Sequence, residues 1–259
     1  MRRILRLYKM NNSLAVFLYR IEQEDILREE SHIRELLDDS RKEKVARLKN
    51  DSARIQSIAA GMLLKVGTSL FLEGKAEEYM YGYDDRDYLI SHEELLRCLS
   101  SANQVPCGEI YSNLSHSGEY VALAVGDVPV GIDVEHKSDN DFKVTKRMFT
   151  KRDQDYIFGD MSNAERRFRD IWTIKESFLK CLGIGISVPL SSFDASFDQS
   201  ASDELDRYGD EGVILSGKIE VREDAPDKLQ GLDHFRFSTS RISGGDYSLT
   251  LCYTDSFQR

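Results

Sequence analysis

The chain has 259 residues, 41% of them hydrophobic, and a formal net charge of -10 at pH 7. That apolar content suffices for a buried core and excludes a disordered polyelectrolyte; the acidic balance argues against a dedicated nucleic-acid binder, which needs clustered Lys and Arg to neutralise phosphates. The four cysteines, Cys98, Cys107, Cys181 and Cys252, form no C-x-x-C pair, so neither a zinc site nor a disulfide framework is suggested. The opening MRRILRLYKM has too short an apolar stretch for a secretory signal, and no run approaching the ~20 apolar residues of a membrane span is read, so a cytoplasmic protein is expected, with no membrane partner.

A strand is predicted over 13–21 (SLAVFLYRI), then a charged, interrupted helical segment over 22–50. Residues 41–54, RKEKVARLKNDSAR, gather Arg41, Lys42, Lys44, Arg47, Lys49 and Arg54 into a local basic patch. The helix formers and apolar residues of 54–72 predict a largely buried helix. EYMYGYDDRDYLI (78–90) suits an irregular loop or lid. NLSHSGE (113–119) is read as a turn, followed by strands over 120–125 and 128–135 that make a β-hairpin about Gly126 and Asp127, with Pro129 at an edge or bulge. A helix is predicted over 163–182, where Phe168, Ile171, Trp172, Phe178, Leu179 and Leu182 recur at helical spacing and Gly183 and Gly185 follow. Strands are predicted over 212–223 and 234–254, the latter a hairpin about Gly244 and Gly245, with 195–212 a surface connection.

Three constellations carry chemistry. In GIDVEHK (131–137), strand alternation puts Asp133 and Glu135 on one face, roughly 7 Å apart, where like charges repel unless something holds them. On the 163–182 helix, Trp172, Glu176 and Lys180 share a stripe at i, i+4 and i+8. Read alone, Glu176 and Lys180 are an ordinary helix pair. Read with Asp133 and Glu135, three carboxylates make an oxygen-rich set suited to Mg²⁺, which prefers oxygen ligands and completes its shell with water and phosphates. A lone D-x-E is otherwise a solvated strand face. In NLSHSGE, Ser115, His116 and Ser117 beside Gly118 can present hydroxyls, an imidazole and backbone N–H groups to phosphate, or form a plain turn. There is no G-x-S-x-G elbow to support a hydrolase.

NLSHSGEYVALAV, VGIDVE and FRDIWTIKESFLKCLGIGISVPL, in that order and spacing, resemble the 4'-phosphopantetheinyl transferases of the larger, surfactin-synthetase-associated (Sfp-like) type. The block W-x-x-K-E-S-F-x-K at 172–180 is the strongest single match; the resemblance is clear over about 111–195 and weaker on either side. It implies an α+β fold of two similar α/β subdomains related by a pseudo-twofold, with coenzyme A in the cleft between them: an N-terminal one over 1–125 and a C-terminal one over 126–259 that carries the metal. A tandem pseudo-dimer of this kind is expected to work as a monomer.

The implied reaction moves the phosphopantetheine arm of coenzyme A onto a serine of an apo acyl carrier protein or peptidyl carrier domain, releasing 3',5'-bisphosphoadenosine. By resemblance Asp133, Glu135 and Glu176 match magnesium ligands, with Mn²⁺ an alternative ion, and Ser115 and His116 match contacts to coenzyme A phosphates. Lys180 matches a phosphate contact at the reacting centre, Glu176 doubles as the candidate base, Trp172 packs, and Arg41 and Lys44 fall where cations meet the adenosine 3'-phosphate. An acidic carrier would dock on a rim formed by 142–160, where Phe142, Val144, Met148 and Phe149 lie near Lys143, Lys146 and Arg147, unless those apolar residues are core. The chain departs from the family pattern in lacking a G-K-P motif between 66 and 112, in having Gln56 where arginine is usual, and in having His136 after the acidic pair. A non-catalytic coenzyme A- or carrier-binding homologue is the alternative that these departures motivate.

Overall fold

The computed structural model describes residues 14–76, 90–102, 110–136, 147–198, 215–232 and 234–254. They fall into two compact units, the first ending at Asp127 and the second beginning at Val128. Cys107, most of the 78–90 segment, and Phe142, Lys143, Val144 and Lys146 of the expected rim lie outside the described residues.

In the first unit β1 (Leu14–Arg20), β2 (Tyr111–Ser117) and β3 (Tyr120–Gly126) form an antiparallel sheet in the order β1-β3-β2. The chain runs from β1 through α1 (Gln23–Leu36), α2 (Asp39–Arg47), α3 (Asp51–Leu72) and α4 (His92–Leu99) before reaching β2. α3 begins where the Asn50 side chain accepts a hydrogen bond from the Ala53 N–H at 3.0 Å, relieving one of the orphan donors of the first turn. Its Ile55, Ile58, Met62, Leu63 and Val66 are buried with Phe17, Val121 and Leu123 of the sheet. By length and composition α3 is apolar enough to cross a membrane, contrary to the sequence expectation, but most of it is buried in this unit.

The second unit has a five-stranded antiparallel sheet in the order β4-β8-β7-β6-β5, comprising β4 (Val130–His136), β5 (Phe193–Phe197), β6 (Leu215–Val221), β7 (Phe235–Ile242) and β8 (Tyr247–Thr254). Between β4 and β5 come α5 (Lys151–Phe158) and α6 (Ala164–Cys181). α6 packs on β4 and β8, and its Ile171, Ile174 and Phe178 join Phe193, Phe237 and Cys252 in the core. α6 ends, as predicted, at Gly183 and Gly185, whose φ of 68° and 56° leave the helical region at little steric cost.

Three expectations are corrected. The hairpin about Gly126 and Asp127 does not form: β3 pairs with β1 and β2, and β4 pairs with β8 in the other sheet. The hairpin is β2–β3, closed by Gly118 and Glu119, with Gly118 at φ 53° supplying the positive φ a two-residue turn demands. Secondly, Ser115 and His116 are strand residues rather than turn residues, so they face opposite sides of β2; Ser115 is buried and His116 exposed. Thirdly, residues 193–197, which overlap the expected surface connection, are β5, held by register with β6.

Candidate active site

The site residues divide between the two units. In the second, the geometry starts from Gly131. A Cβ at this position would lie 1.9 Å from the Ser177 carbonyl oxygen and 2.4 Å from the Cys181 backbone nitrogen, so only glycine lets α6 approach β4 this closely. That approach brings the last two turns of α6 onto the strand carrying Asp133. Lys180 Nζ donates to Asp133 Oδ1 at 2.7 Å and to the Ile132 carbonyl at 3.3 Å. The cation therefore bridges to the strand instead of serving only as the i+4 partner of Glu176.

Glu176, half-buried between Trp172 and Lys180 along the helix, is the strained member. Its Oε1 is buried and accepts no hydrogen bond among the described residues. Its carboxyl is pushed above the usual range, first by burial and then by the negative charge of Asp133, with Lys180 acting the other way. A buried carboxylate oxygen with no donor is costly, and a hard cation is one way to satisfy it. Asp133 and Glu176 thus fit a divalent cation by donor type and by mutual electrostatics. The three-carboxylate set expected from the sequence does not form one ready-made cluster: among the described residues no three His, Cys, Asp or Glu side chains lie close enough to hold a metal ion. The Lys180 ammonium already supplies counter-charge at Asp133, and Glu135 lies two residues along toward the more exposed end of β4.

Two residues flanking this cluster were not legible as machinery. Lys175, next to Glu176, is fully buried: its Nζ is 2.8 Å from Asp153 Oδ2 and donates to the carbonyls of Leu190, at 2.9 Å, and Phe193. Asp153 in turn belongs to the capping box that starts α5 with Thr150. Of the motif's two lysines, Lys175 pins α6 to its neighbours and Lys180 faces the acidic strand. The missed signal is periodicity: Lys175 lies midway between the buried Ile171 and Leu179 on the same stripe. Asp170, also buried, accepts from Arg241 and, at 2.8 Å, from Ser248 Oγ, tying the same helix to β7 and β8. Trp172 packs beside Phe149 and Phe168, with ring centroids 6.4 and 6.2 Å away, as its packing role requires. Phe149 itself is buried in the core, which removes it from the expected rim.

In the first unit Arg41 lies across α3 at Gly61, where a Cβ would meet its Cγ at 2.7 Å. Burial pushes the Arg41 guanidinium down from its ordinary value, with Asp38 opposing. Among the described residues Arg41 and Lys44 have no acidic ion-pair partner, whereas neighbouring Lys42 meets Asp39 at 3.1 Å and Arg47 meets Glu43 at 3.4 Å. Arg54, two residues before Gln56, is held by Asp51 at 2.6 Å and Glu30 at 3.2 Å. Gln56 instead donates to the Gly118 carbonyl at 3.1 Å, bracing the turn that follows Ser115 and His116.

Residues 129–252 match the family model of the 4'-phosphopantetheinyl transferase superfamily. The chain is 39% identical over 103 residues to the 4'-phosphopantetheinyl transferase psf-1 of Bacillus pumilus, covering 39% of this chain and 43% of that one. It is 37% identical over 86 residues to the 4'-phosphopantetheinyl transferase gsp of Aneurinibacillus migulanus, 33% of this chain and 36% of that one. To the 4'-phosphopantetheinyl transferase Sfp of Bacillus subtilis (strain 168) it is 36% identical over 92 residues, 35% and 41% respectively. The matched stretches therefore span less than half the length of each of these relatives. The matched region carries β4, α6 and β8, with Asp133, Glu135, Glu176 and Lys180, and is similar to the 4'-phosphopantetheinyl transferase superfamily and to its Sfp-type relatives, the resemblance that the sequence motifs pointed to.

Proposed function

We propose that the chain transfers the 4'-phosphopantetheine group of coenzyme A to a serine hydroxyl of an apo acyl or peptidyl carrier. The observation that carries this reading is the arrangement on β4 and α6: Lys180 on Asp133, beside a half-buried Glu176 whose inner oxygen has no donor among the described residues. Asp133 and Glu176 would hold a divalent cation, Mg²⁺ or Mn²⁺, with Glu135 next along the strand. Such an ion, when bound, supplies positive charge to the pyrophosphate oxygens and helps to align them.

The chain's own residues account for the remaining chemistry. The serine oxygen bonds to the phosphorus bearing the pantetheine arm, the phosphoanhydride bond to the adenosine side breaks, and 3',5'-bisphosphoadenosine leaves. Glu176, at the edge of the packed face of α6, is the candidate to accept the serine proton. Lys180 lends its ammonium to charge developing on phosphate oxygen. Arg41 and Lys44 receive the adenosine 3'-phosphate, in keeping with two cations of α2 that have no acidic ion-pair partner among the described residues. His116, on the exposed face of β2, takes a phosphate oxygen, while buried Ser115 helps shape the strand beneath it. Three strands of each sheet share one order, β1-β3-β2 and β4-β8-β7, which supports a reading as two similar subdomains, and the chain is taken to act as a monomer.

The test is intact-mass measurement of an apo acyl carrier protein and an apo peptidyl carrier domain, each incubated with the chain, coenzyme A and Mg²⁺. The expected result is a gain of one phosphopantetheine that EDTA abolishes and that Asp133→Ala and Glu176→Ala each lower by about 100-fold or more. Coenzyme A binding without any mass gain would favour a non-catalytic homologue, and full activity in either variant would sink the site assignment.

A further inference from the structure

We propose that Cys181 and Cys252 form a redox-modifiable pair, which a small-molecule disulfide converts into an intramolecular disulfide clamping the last turn of α6 to β8. Cys252 sits opposite Gly131 in the β4–β8 register. Cross-strand partners project to the same face of the sheet, so the Cys252 thiol rises beside the patch that Gly131 leaves open. Cys181 fills that patch: a Cβ on Gly131 would lie 2.9 Å from the Cys181 Cα. Both cysteines belong to one packed cluster, Cys252 within it and Cys181 against it. The end of α6 therefore packs directly on the strand position that faces Cys252, the approach that a disulfide, with its ordinary Cα separation of ~4.4–6.8 Å, needs.

The pair is also ordered for reaction. Cys252 is fully buried and Cys181 partly exposed, so a reagent reaches Cys181 first. Burial and the neighbouring Cys181 thiol push the Cys252 thiol up, which makes ring closure slow at neutral pH and faster as pH rises. The step balances as thiol–disulfide exchange with oxidised glutathione. The Cys181 thiolate attacks one sulfur and expels a glutathione thiolate. Cys252 then loses its proton and displaces the second glutathione from Cys181. Two electrons and two protons pass from the pair to the oxidant, which leaves as two thiols.

The consequence for the site follows from adjacency. Lys180 directly precedes Cys181, and drawing the two thiols into a bond of ~2.05 Å moves the helix end that places Lys180 on Asp133. This activity effect rests on the transferase reading; the covalent chemistry does not.

The experiment treats the reduced full chain with graded ratios of oxidised to reduced glutathione and maps the products by peptide mass. Expected are a Cys181–Cys252 linked peptide and a loss of about 2 Da with no retained glutathione. Neither appears in Cys181→Ser or Cys252→Ala. Carrier modification should fall severalfold in the oxidised chain, recover with dithiothreitol, and stay unchanged by oxidant in Cys181→Ser. A lasting glutathione adduct on Cys181, or linkage to Cys98 or Cys107, overturns the pairing; a linked chain with undiminished turnover overturns the clamp. If the reduced chain modifies no carrier, the transferase reading fails and the mass map alone decides the pair.

Discussion

Each unit is built on one long helix laid across an antiparallel sheet, and in each the first strand lies beside the last and the last beside the one before it: β1-β3-β2 in the first unit and β4-β8-β7 in the second. The helices differ in what they bury. Buried positions of α3 are apolar, small or hydroxyl-bearing, and none is charged. α6 buries Arg169, Asp170 and Lys175, and keeps Glu176 and Lys180 at the edge of its packed face. Apolar burial fixes a helix on a sheet but leaves it tolerant of small shifts, because its energy scales with area and has no direction. Buried charges must meet specific partners, so they fix rotation and depth. The helix that carries the chemistry is the one located by polar contacts, and that contrast can be attacked directly.

The largest effect is expected at Lys175. Lys175→Met leaves Asp153 buried without its cation and should cost about 3–5 kcal/mol. Pairing it with Asp153→Asn should recover more than half, since the loss comes from the stranded charge. On α3 the comparable polar contact, Thr68 Oγ1 to the Leu64 carbonyl at 2.6 Å, is local, and Thr68→Ala should cost only about 1 kcal/mol. Urea denaturation of the three variants and the parent measures this. A Lys175→Met loss no larger than that of Thr68→Ala would remove the distinction between the helices.

Next in size are the glycines at which helix and sheet meet. A Cβ on Gly67 of α3 would meet side-chain atoms, Leu123 Cδ2 at 2.4 Å and Phe17 Cδ2 at 3.0 Å, which can rotate away. A Cβ on Gly131 would meet backbone, which cannot. Gly67→Ala should therefore cost about 1 kcal/mol net of the helix propensity it gains, and Gly131→Ala about 3 kcal/mol together with most of the transfer activity. Equal costs at the two positions would show that the close approach of α6 to β4 is not what holds the site.

Much of this contrast was written in the sequence, and the rest was not for identifiable reasons. Both long helices announced themselves by apolar spacing, and β1, β7 and β8 by apolar runs ending in turn residues. Asp133, Glu176 and Lys180 stood out because charges beside apolar positions need partners. Strand pairing was misread at Gly126 and Asp127 because a turn-like dipeptide between two strands does not specify whether they pair; β4 chose β8, about 115 residues downstream, and local pattern carries no record of that. Lys175 was hidden by its type, since a lysine in a helical motif reads as solvated until its stripe is traced through Ile171 and Leu179. Gly131 was hidden because its role is a missing side chain, visible only when the opposing backbone is known.

The smallest stability effect, and the most specific, belongs to Glu176. Its carboxyl titrates above the ordinary carboxylate value of ~4.3, so between that value and the raised one the folded state holds a proton that the unfolded chain has released. Stability then falls as pH rises through this window, and above it the folded protein carries the full cost of an ionised, half-buried group. Glu176→Gln removes the titration while keeping the shape. Without divalent cation the variant should melt together with the parent near pH 4 and a few degrees higher at pH 8, the gap opening as pH rises; at the same time it should lose transfer activity. Adding Mg²⁺ should raise the parent and leave the variant in place, narrowing the gap, because only the parent gains a ligand for its buried oxygen. Melting curves from pH 4 to pH 8, with and without EDTA, read both signs. A gap independent of pH would mean that Glu176 is not strained by ionisation, and α6 would then differ from α3 only in how it is anchored and not in holding a charge ready for use.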